Sequence, residues 1–356
     1  MCYNLCMKRR LKKKYRVFFK RLVLLIIIGL FCFLYFRKRI NDNVKLIDVD
    51  KIYLAIGEKY ELPSDVNVSA SNNLVSLDGN FITGKGVGSS NLVLTKDKAE
   101  NTVEVIVTDL YTLPHIDNEK DKLKCKEYIS EEAKILDEAL EFKIKKAGYG
   151  TRAGVVAASR FLTLEFKYRL NYFYENGRLN NYGDINYVDG EGRYYHKGLY
   201  LSDDKYKDIK ASMHGPSMWG CPLYVKLFQR EEINGLDCSG FISWAMLNGG
   251  FDIGDSGAGI DFDRDDDLDD FGIKMKINEK EFDKSKVKVG DLISRYAHIG
   301  IIIGIENDIF YVAEALDYDL HVKVYNLSEL ISSDWLYIQL MDEYYKKDGN
   351  LTNMWN

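Results

Sequence analysis

The chain has 356 residues, of which 46% are hydrophobic and 13% aromatic, and its formal net charge is −5. This length predicts two folded units rather than one small module, and the apolar content excludes the disordered and low-complexity classes. Twelve of the 49 Lys and Arg residues lie within 1–39, which contains no Asp or Glu, so the remainder of the chain is strongly acidic. That balance argues against a nucleic-acid-binding protein, whose affinity depends on cationic side chains that neutralise phosphates.

An uncharged apolar run over 22–36 lies between two basic blocks near the N-terminus. At about 1.5 Å per residue it covers roughly 22 Å, against about 30 Å of bilayer hydrocarbon. We expect Lys20, Arg21 and Arg37 to lengthen it by snorkelling. No small-residue cleavage site follows the run, which favours an uncleaved transmembrane anchor over a secretory signal.

The distribution of basic residues predicts the orientation of this anchor. Residues 1–21 hold most of the N-terminal Lys and Arg, so the positive-inside bias makes this segment cytoplasmic and places 40–356 outside the cell. The alternative interpretation of the apolar run is a buried core helix.

The six cysteines show no disulfide framework. Three of them lie in or before the apolar run (Cys2, Cys6 and Cys32), and the other three, an odd number without CxxC spacing, are Cys125, Cys221 and Cys238. At least one thiol beyond the anchor is therefore expected to be free.

Residues 44–110 consist of short alternating segments separated by turn signals, which predicts a small all-β sandwich. The Asp78-Gly79 pair is a hairpin signal. The opening segment Leu54-Ala55-Ile56-Gly57 and the glycine-rich turn at 86–90 resemble bacterial immunoglobulin-like domains. The resemblance implies a spacer or a ligand-binding platform, because the segment contains no constellation of titratable side chains.

Beyond a linker at Leu113-Pro114 the hydrophobic period becomes helical. Capping and stop signals predict helices over 130–148 and from 151 to about 169. Residues 170–235 are rich in Tyr and Gly, and we assign them to loops around a site.

The most informative run is Asp237-Cys238-Ser239-Gly240-Phe241, which begins a predicted helix ending near Asn248-Gly249. Asp237 is a natural N-cap and puts Cys238 in the first turn, where free backbone N–H groups and the helix dipole favour a thiolate. The charge of Asp237 acts in the opposite direction, so a cationic partner is needed to activate the thiol.

His298 can supply that cation. It begins an apolar strand over 298–304, and the next strand follows at 309–315. A three-residue loop at 305–307 places His298 opposite Glu314, with Cβ atoms about 5 Å apart. The carboxylate can then orient the imidazole and complete a Cys238, His298, Glu314 relay, whereas a loop one residue longer or shorter sends Glu314 to the other face.

In this order, the run 237–241, the segment Val289-Gly290-Asp291-Leu292 and the strand 298–304 resemble NlpC-type cell-wall cysteine peptidases. The resemblance covers 118–345 and implies a papain-like α+β fold that hydrolyses amide bonds in peptidoglycan stem peptides, commonly between D-glutamate and the following diamino acid. It implies that Cys238 is the nucleophile and His298 the base, while Glu314 stands where members usually have His, Asn or Gln.

Members of this family also carry a Tyr before the cysteine that assists the oxyanion, and Tyr172 is the best match in this chain. Asp237 and Ser239 flank the nucleophile. We assign these three residues to substrate binding.

The remaining polar clusters give no metal signature. Four histidines show neither HExxH nor paired spacing, which favours surface histidines over metal ligands; they are His115, His196, His214 and His321. The acidic run 261–270 lacks the Gly and Glu that an EF-hand requires at its sixth and twelfth positions, which favours a solvated loop. The sequence predicts neither a metal nor a cofactor.

The predicted fold class is therefore α+β, with a papain-like cysteine peptidase domain after an all-β immunoglobulin-like sandwich and a single transmembrane helix. The predicted protein is a membrane-anchored exterior hydrolase whose partner is peptidoglycan and which binds no nucleic acid. One alternative is an amidase or acyltransferase that uses the same relay. Another is a wall-binding surface protein that has lost catalytic activity.

Overall fold

The structure is a computed structural model that describes residues 21–22, 24–33, 45–117, 120, 130–172, 197–199, 222–225, 230–233, 235–253, 256–259, 267–317 and 319–355. The chain forms two compact units, one from 1–52 with 59–106 and one from 53–58 with 107–356. Several residues singled out in the sequence lie outside the described residues: the basic residues before Arg21, then Cys2, Cys6, Cys125, Cys221, His196 and His214.

The predicted fold class is wrong in its transmembrane helix. Among the residues that the structure describes, no helix combines the length and the apolar character needed to cross a membrane. The expected papain-like domain, immunoglobulin-like sandwich and transmembrane helix are therefore corrected to a mixed α+β architecture whose sheets are open.

The first β-rich region contains seven strands: β1 (Lys51–Ala55), β2 (Lys59–Glu61), β3 (Asn67–Ala70), β4 (Val75–Asp78), β5 (Phe81–Gly84), β6 (Gly88–Lys96) and β7 (Ala99–Thr108). They form a four-stranded sheet in the order β1-β7-β6-β3 and a three-stranded sheet in the order β2-β5-β4. Alternate residues of β6 and β7 are buried, and Leu92, Leu94, Val103 and Val105 have almost no exposed surface. This period of two is what a sheet with one buried face requires.

The second unit contains the α-helices α1 (Ser130–Ala147), α2 (Arg152–Arg160), α3 (Cys238–Gly249), α4 (Leu327–Ser332) and α5 (Asp342–Tyr345). α2 runs directly into a π-helical turn, Phe161–Glu165, and the helical path stops where Phe166 becomes extended. α1 begins with two acidic residues and ends with two basic ones, which matches the helix macrodipole at both ends.

The strands of this unit are β8 (Asn171–Tyr172), β9 (Pro222–Val225), β10 (Arg230–Ile233), β11 (Gly235–Leu236), β12 (Ile273–Lys276), β13 (Leu292–Arg295), β14 (His298–Glu306), β15 (Ile309–Leu316), β16 (Asp319–Asn326) and β17 (Tyr337–Leu340). Eight of them form one sheet in the order β11-β8-β16-β15-β14-β13-β17-β12, and β9 pairs with β10. In the region predicted as loops, 170–235, the described residues thus form β8, β9 and β10 and begin β11.

A buried arginine fastens the helices of this unit to its sheet. Arg152, at the start of α2, is fully buried, and its Nη1 atom lies 2.5 Å from Oδ1 of Asp291. The same guanidinium reaches Asp342 at 2.6 Å and Asp348 at 3.1 Å. Asp291 also accepts a hydrogen bond from the backbone of Met341. The Asp291 of the family-like segment 289–292 therefore stabilises the packing of helix and sheet that supports the site.

Candidate active site

The Cys238 helix begins as the sequence predicts. Asp237 is the N-cap of α3, and its carboxylate accepts the backbone N–H of Gly240 at 2.6 Å. At the other end Gly250 takes the left-handed conformation, with φ 107°, which stops the helix. Cys238 is the first helical residue and is 6% exposed, so its sulfur lies at a helix N-terminus, where the helix dipole favours a thiolate.

The sulfur of Cys238 lies against the turn that leads into β14. Its Sγ atom is 3.9 Å from the carbonyl oxygen of Ala297, the residue that directly precedes His298. Ala297 itself has a positive φ of 51°, in the tight turn that joins Arg295 to His298 across β13 and β14. The start of β14 and the start of α3 are therefore neighbours.

The hairpin of β14 and β15 is tighter than the predicted three-residue loop. Its turn consists of Asn307 and Asp308, whose φ angles are 48° and 67°, and it pairs Glu306 with Ile309. Two left-handed residues in sequence are typical of the hairpin turn whose twist matches the flanking strands. By itself, this shorter loop would turn Glu314 away from the face of His298.

A β-bulge at Ile303 restores the face. The bulge inserts one extra residue into β14, so that Glu314 is paired with Gly300 rather than with His298. Residues two apart on a strand share a face, and His298 therefore points to the same side as Glu314. The predicted register is wrong, whereas the predicted contact is present: the Nε2 atom of His298 lies 2.7 Å from Oε2 of Glu314.

Packing holds the imidazole in this orientation. His298 and Glu314 are 4% and 1% exposed, and the His298 ring stacks on Trp335 with centroids 5.3 Å apart and planes 25° apart. Because Glu314 engages Nε2, any role of His298 toward the Cys238 thiol falls to its Nδ1 atom. This is the division of roles that a cysteine relay requires.

The charge on Glu314 is stabilised in place. Burial alone raises the pKa of this carboxyl, but its hydrogen bond with His298 and its ion pair with His321 outweigh burial and lower the pKa to about 2. Glu314 is therefore a carboxylate throughout the neutral range, and a carboxylate in contact with an imidazole stabilises the imidazolium form.

His321 is the residue that the sequence reasoning missed, since it favoured a surface histidine. Strand β16 pairs His321 directly with Glu314, and its Nε2 atom lies 3.7 Å from Oε1 of that carboxylate. Its Nδ1 atom lies 3.0 Å from Oδ1 of Asp319, which also accepts a hydrogen bond from Arg169 at 3.0 Å. The signal in the sequence is the short hairpin that pairs Leu316 with Asp319, from which the pairing of 314 with 321 follows by counting.

The three residues assigned to substrate binding lie around the start of α3. Tyr172 in β8 pairs in parallel with Leu236, the residue before Asp237. Ser239 donates a hydrogen bond from Oγ to the Asp237 carboxylate at 3.2 Å, and both side chains are buried. Asp237 and Ser239 thus shape the beginning of the helix, and contact of these three residues with a substrate stays a prediction.

The acidic run is only partly within the described residues, which include 267–270 but not 261–266. Asp267 and Asp269 are buried, unlike the solvated loop that the sequence predicts, and Asp269 accepts a hydrogen bond from Lys274 at 2.6 Å. Across the described part of the chain, no group of three or more His, Cys, Asp and Glu residues is arranged to hold a metal ion.

Comparison with known proteins adds no family to this geometry. No protein-family model matches the chain, and the search of curated proteins finds no match for it.

Proposed function

We propose that the protein is a cysteine hydrolase that cleaves amide bonds in the stem peptides of peptidoglycan. Cys238 acts as the nucleophile, His298 as the general base and acid, and Glu314 as the group that orients and charges the imidazole. The observation that carries this proposal is the 2.7 Å contact between His298 and Glu314. His298 begins β14, and the residue before it, Ala297, lies 3.9 Å from the sulfur of Cys238 through its carbonyl oxygen.

The chemistry proceeds by acyl transfer to sulfur. The Cys238 thiolate attacks the carbonyl carbon of the scissile amide, the C–N bond breaks, and imidazolium His298 gives its proton to the departing amine. Water then attacks the thioester while His298 accepts its proton, which releases the carboxylate product and restores the thiolate. Backbone N–H groups at the start of α3, including that of Cys238, would stabilise the oxyanion, and Tyr172 is the side chain we expect beside them.

The choice of substrate rests on the resemblance of three segments, 237–241, 289–292 and 298–304, to NlpC-type peptidases. Peptidoglycan as the partner implies that this unit works outside the cytoplasmic membrane. The carboxylate at 314, where members usually have a neutral side chain, is a difference within the relay and leaves the nucleophile and base as they are.

The test uses the full-length chain and purified peptidoglycan fragments, with products identified by mass spectrometry. The wild type should split a stem-peptide amide, and Cys238→Ala should abolish cleavage with an unchanged circular dichroism spectrum. Cys32→Ala is the matched control, because Cys32 is an exposed free thiol, and this variant should cleave as the wild type does. Cleavage by Cys238→Ala would overturn the proposal, and products joined to an added amine would instead indicate an acyltransferase.

A second measurement separates an active site from a wall-binding protein that has lost its chemistry. An activated Cys238 reacts with iodoacetamide well below the pH at which an ordinary thiol does, because the thiolate is the reactive form. A thiol at Cys238 that reacts only near its ordinary pKa, together with absent cleavage, would favour the wall-binding alternative.

A further inference from the structure

Charged side chains of alternating sign extend from His298 across β15 and β16 to Arg169, two residues before β8. Glu314 contacts His298, and His321 and Asp319 follow on the neighbouring strand. Arg169 ends the series with a 3.0 Å contact to Asp319. We call these four residues, Glu314, His321, Asp319 and Arg169, the charge chain.

The carboxylate of Glu314 lies between two imidazoles, one for each oxygen. Its Oε2 atom is bound to His298 at 2.7 Å, whereas Oε1 lies 3.7 Å from His321. Oε1 is buried and has no hydrogen-bond partner among the described residues. A buried carboxylate oxygen in that state is costly unless a charge faces it, and His321 is the group that faces it.

Both neighbours of His321 favour its charged form. Asp319 binds Nδ1 and Glu314 lies at Nε2, and together they outweigh the burial of the ring and raise the pKa of His321 to about 9. The imidazolium is therefore present at neutral pH. Its positive charge faces the negative charge of Glu314 at 3.7 Å, and Arg169 faces Asp319 at 3.0 Å.

We propose that His321 is a positioning residue of the active site, which as an imidazolium neutralises Glu314 and holds its carboxylate on His298. The inference rests on the proposed function, because it assigns His321 a role in the same relay. His321 acts through Glu314 and limits how strongly the carboxylate stabilises the charge on His298. The relay thereby keeps an ionised carboxylate as the group that orients His298.

Other charged side chains surround Glu314 and His321, and they are the same in the wild type and in a His321 variant. Lys323 follows His321 on the same face of β16, and its charge acts on Glu314. Arg295 lies over the Trp335 ring that stacks on His298, and it is paired with Asp334. Their contribution cancels in a comparison of one substitution with the wild type.

The experiment is a pH profile of His321→Gln in the full-length chain. Without the imidazolium, the charge of Glu314 is uncompensated, so the imidazolium form of His298 is favoured. The basic limb of peptide cleavage should move up by about one pH unit. Asp319→Asn, which weakens the protonation of His321, should give a smaller shift in the same direction.

The matched control is His115→Gln, because His115 is also a histidine paired with an aspartate. Its Nε2 atom lies 3.6 Å from Oδ2 of Asp117. Its profile should superimpose on that of the wild type. A purely structural role of His321 lowers the rate without moving either limb.

The inference would be overturned if the basic limb of the pH profile stayed in place or moved to lower pH in both His321→Gln and Asp319→Asn. The proposed function would remain intact in that case. An ordinary thiol pKa for Cys238 in the wild type, with no cleavage at any pH, would overturn the proposed function itself.

Discussion

His298 and Glu314 touch at 2.7 Å although they are not partners across the sheet. The partner of Glu314 is Gly300, two residues after His298 and on the same face of β14. A Cβ atom at Gly300 would approach Val312 to 3.0 Å and the carbonyl of Ala313 to 3.1 Å. The contact on which the candidate site depends is thus made by a diagonal pair, over a glycine.

The first prediction concerns the charge of Glu314. Glu314→Gln keeps the size and one acceptor oxygen but removes the charge that stabilises the His298 imidazolium. We expect cleavage to fall by about 10- to 100-fold and the basic limb of the pH profile to move to lower pH, opposite to the effect expected for His321→Gln. Steady-state kinetics across pH would measure both. Glu343→Gln, at an exposed acidic residue of α5, is the control, and an unshifted limb in Glu314→Gln would contradict the assigned role.

The second prediction concerns the pH dependence of stability. The pKa of His321 is raised to about 9 by Asp319 first and Glu314 next, so its contribution to the free energy of unfolding is complete below about pH 6.5 and is lost as the pH rises through about 9. His321→Gln should therefore lower the melting temperature at pH 6 and leave it nearly unchanged at pH 10. Thermal unfolding at the two pH values checks this, and an equal difference at both would exclude the ionised pair as the cause.

At the acidic end the sign is reversed. The pKa of Glu314 is lowered to about 2, because its contacts with the two histidines outweigh burial, so its stabilisation is complete above about pH 4.5 and is lost as the pH falls through about 2. As the pH falls from about 4.5 to about 2, the melting temperature of the wild type should therefore fall toward that of Glu314→Gln. Acid titration followed by circular dichroism would show the convergence, and a constant gap would contradict it.

The third prediction concerns the buried Arg152–Asp291 pair. Arg152→Met leaves the Asp291 carboxylate without its main partner in a site that is 1% exposed, and breaking such a pair costs about 3–5 kcal/mol in the free energy of unfolding. Arg152→Met with Asp291→Asn should recover part of this loss, since the uncompensated charge is gone. Urea unfolding of the two single variants and the double variant gives the coupling energy, and strict additivity would argue against the pair.

Local features of the site could be predicted from the sequence. The N-cap at Asp237 and the first-turn position of Cys238 depend on neighbouring residues only, and so does the apolar strand that begins at His298. The register of β14 against β15 could not be predicted, because the two-residue turn and the bulge at Ile303 each change the face of Glu314. Their two effects cancel. His321 is likewise defined by strand pairing rather than by any local motif.

The edge of the sheet could not be predicted for the same reason. The pairing of Tyr172 with Leu236 joins segments more than sixty residues apart, and neither segment is long enough to show a strand period. The apolar run near the N-terminus differs in another way, since its composition predicts a membrane span and no helix among the described residues is long and apolar enough to form one.

The last prediction concerns the bulge that keeps His298 and Glu314 on one face. Its extra residue, Ile303, offers a carbonyl that accepts a hydrogen bond from Nε of Arg160 at 2.8 Å, and the same guanidinium binds Thr352 near the C-terminus. Arg160→Met leaves this buried carbonyl unpaired, so the free energy of unfolding should fall by about 2–4 kcal/mol. Cleavage should fall as well, because the bulge then competes with a regular register that turns Glu314 away from His298. Urea unfolding and peptide cleavage, with Lys280→Met at an exposed position as the control, would measure the two effects, and a destabilised variant with unchanged kinetics would show that the bulge persists without Arg160.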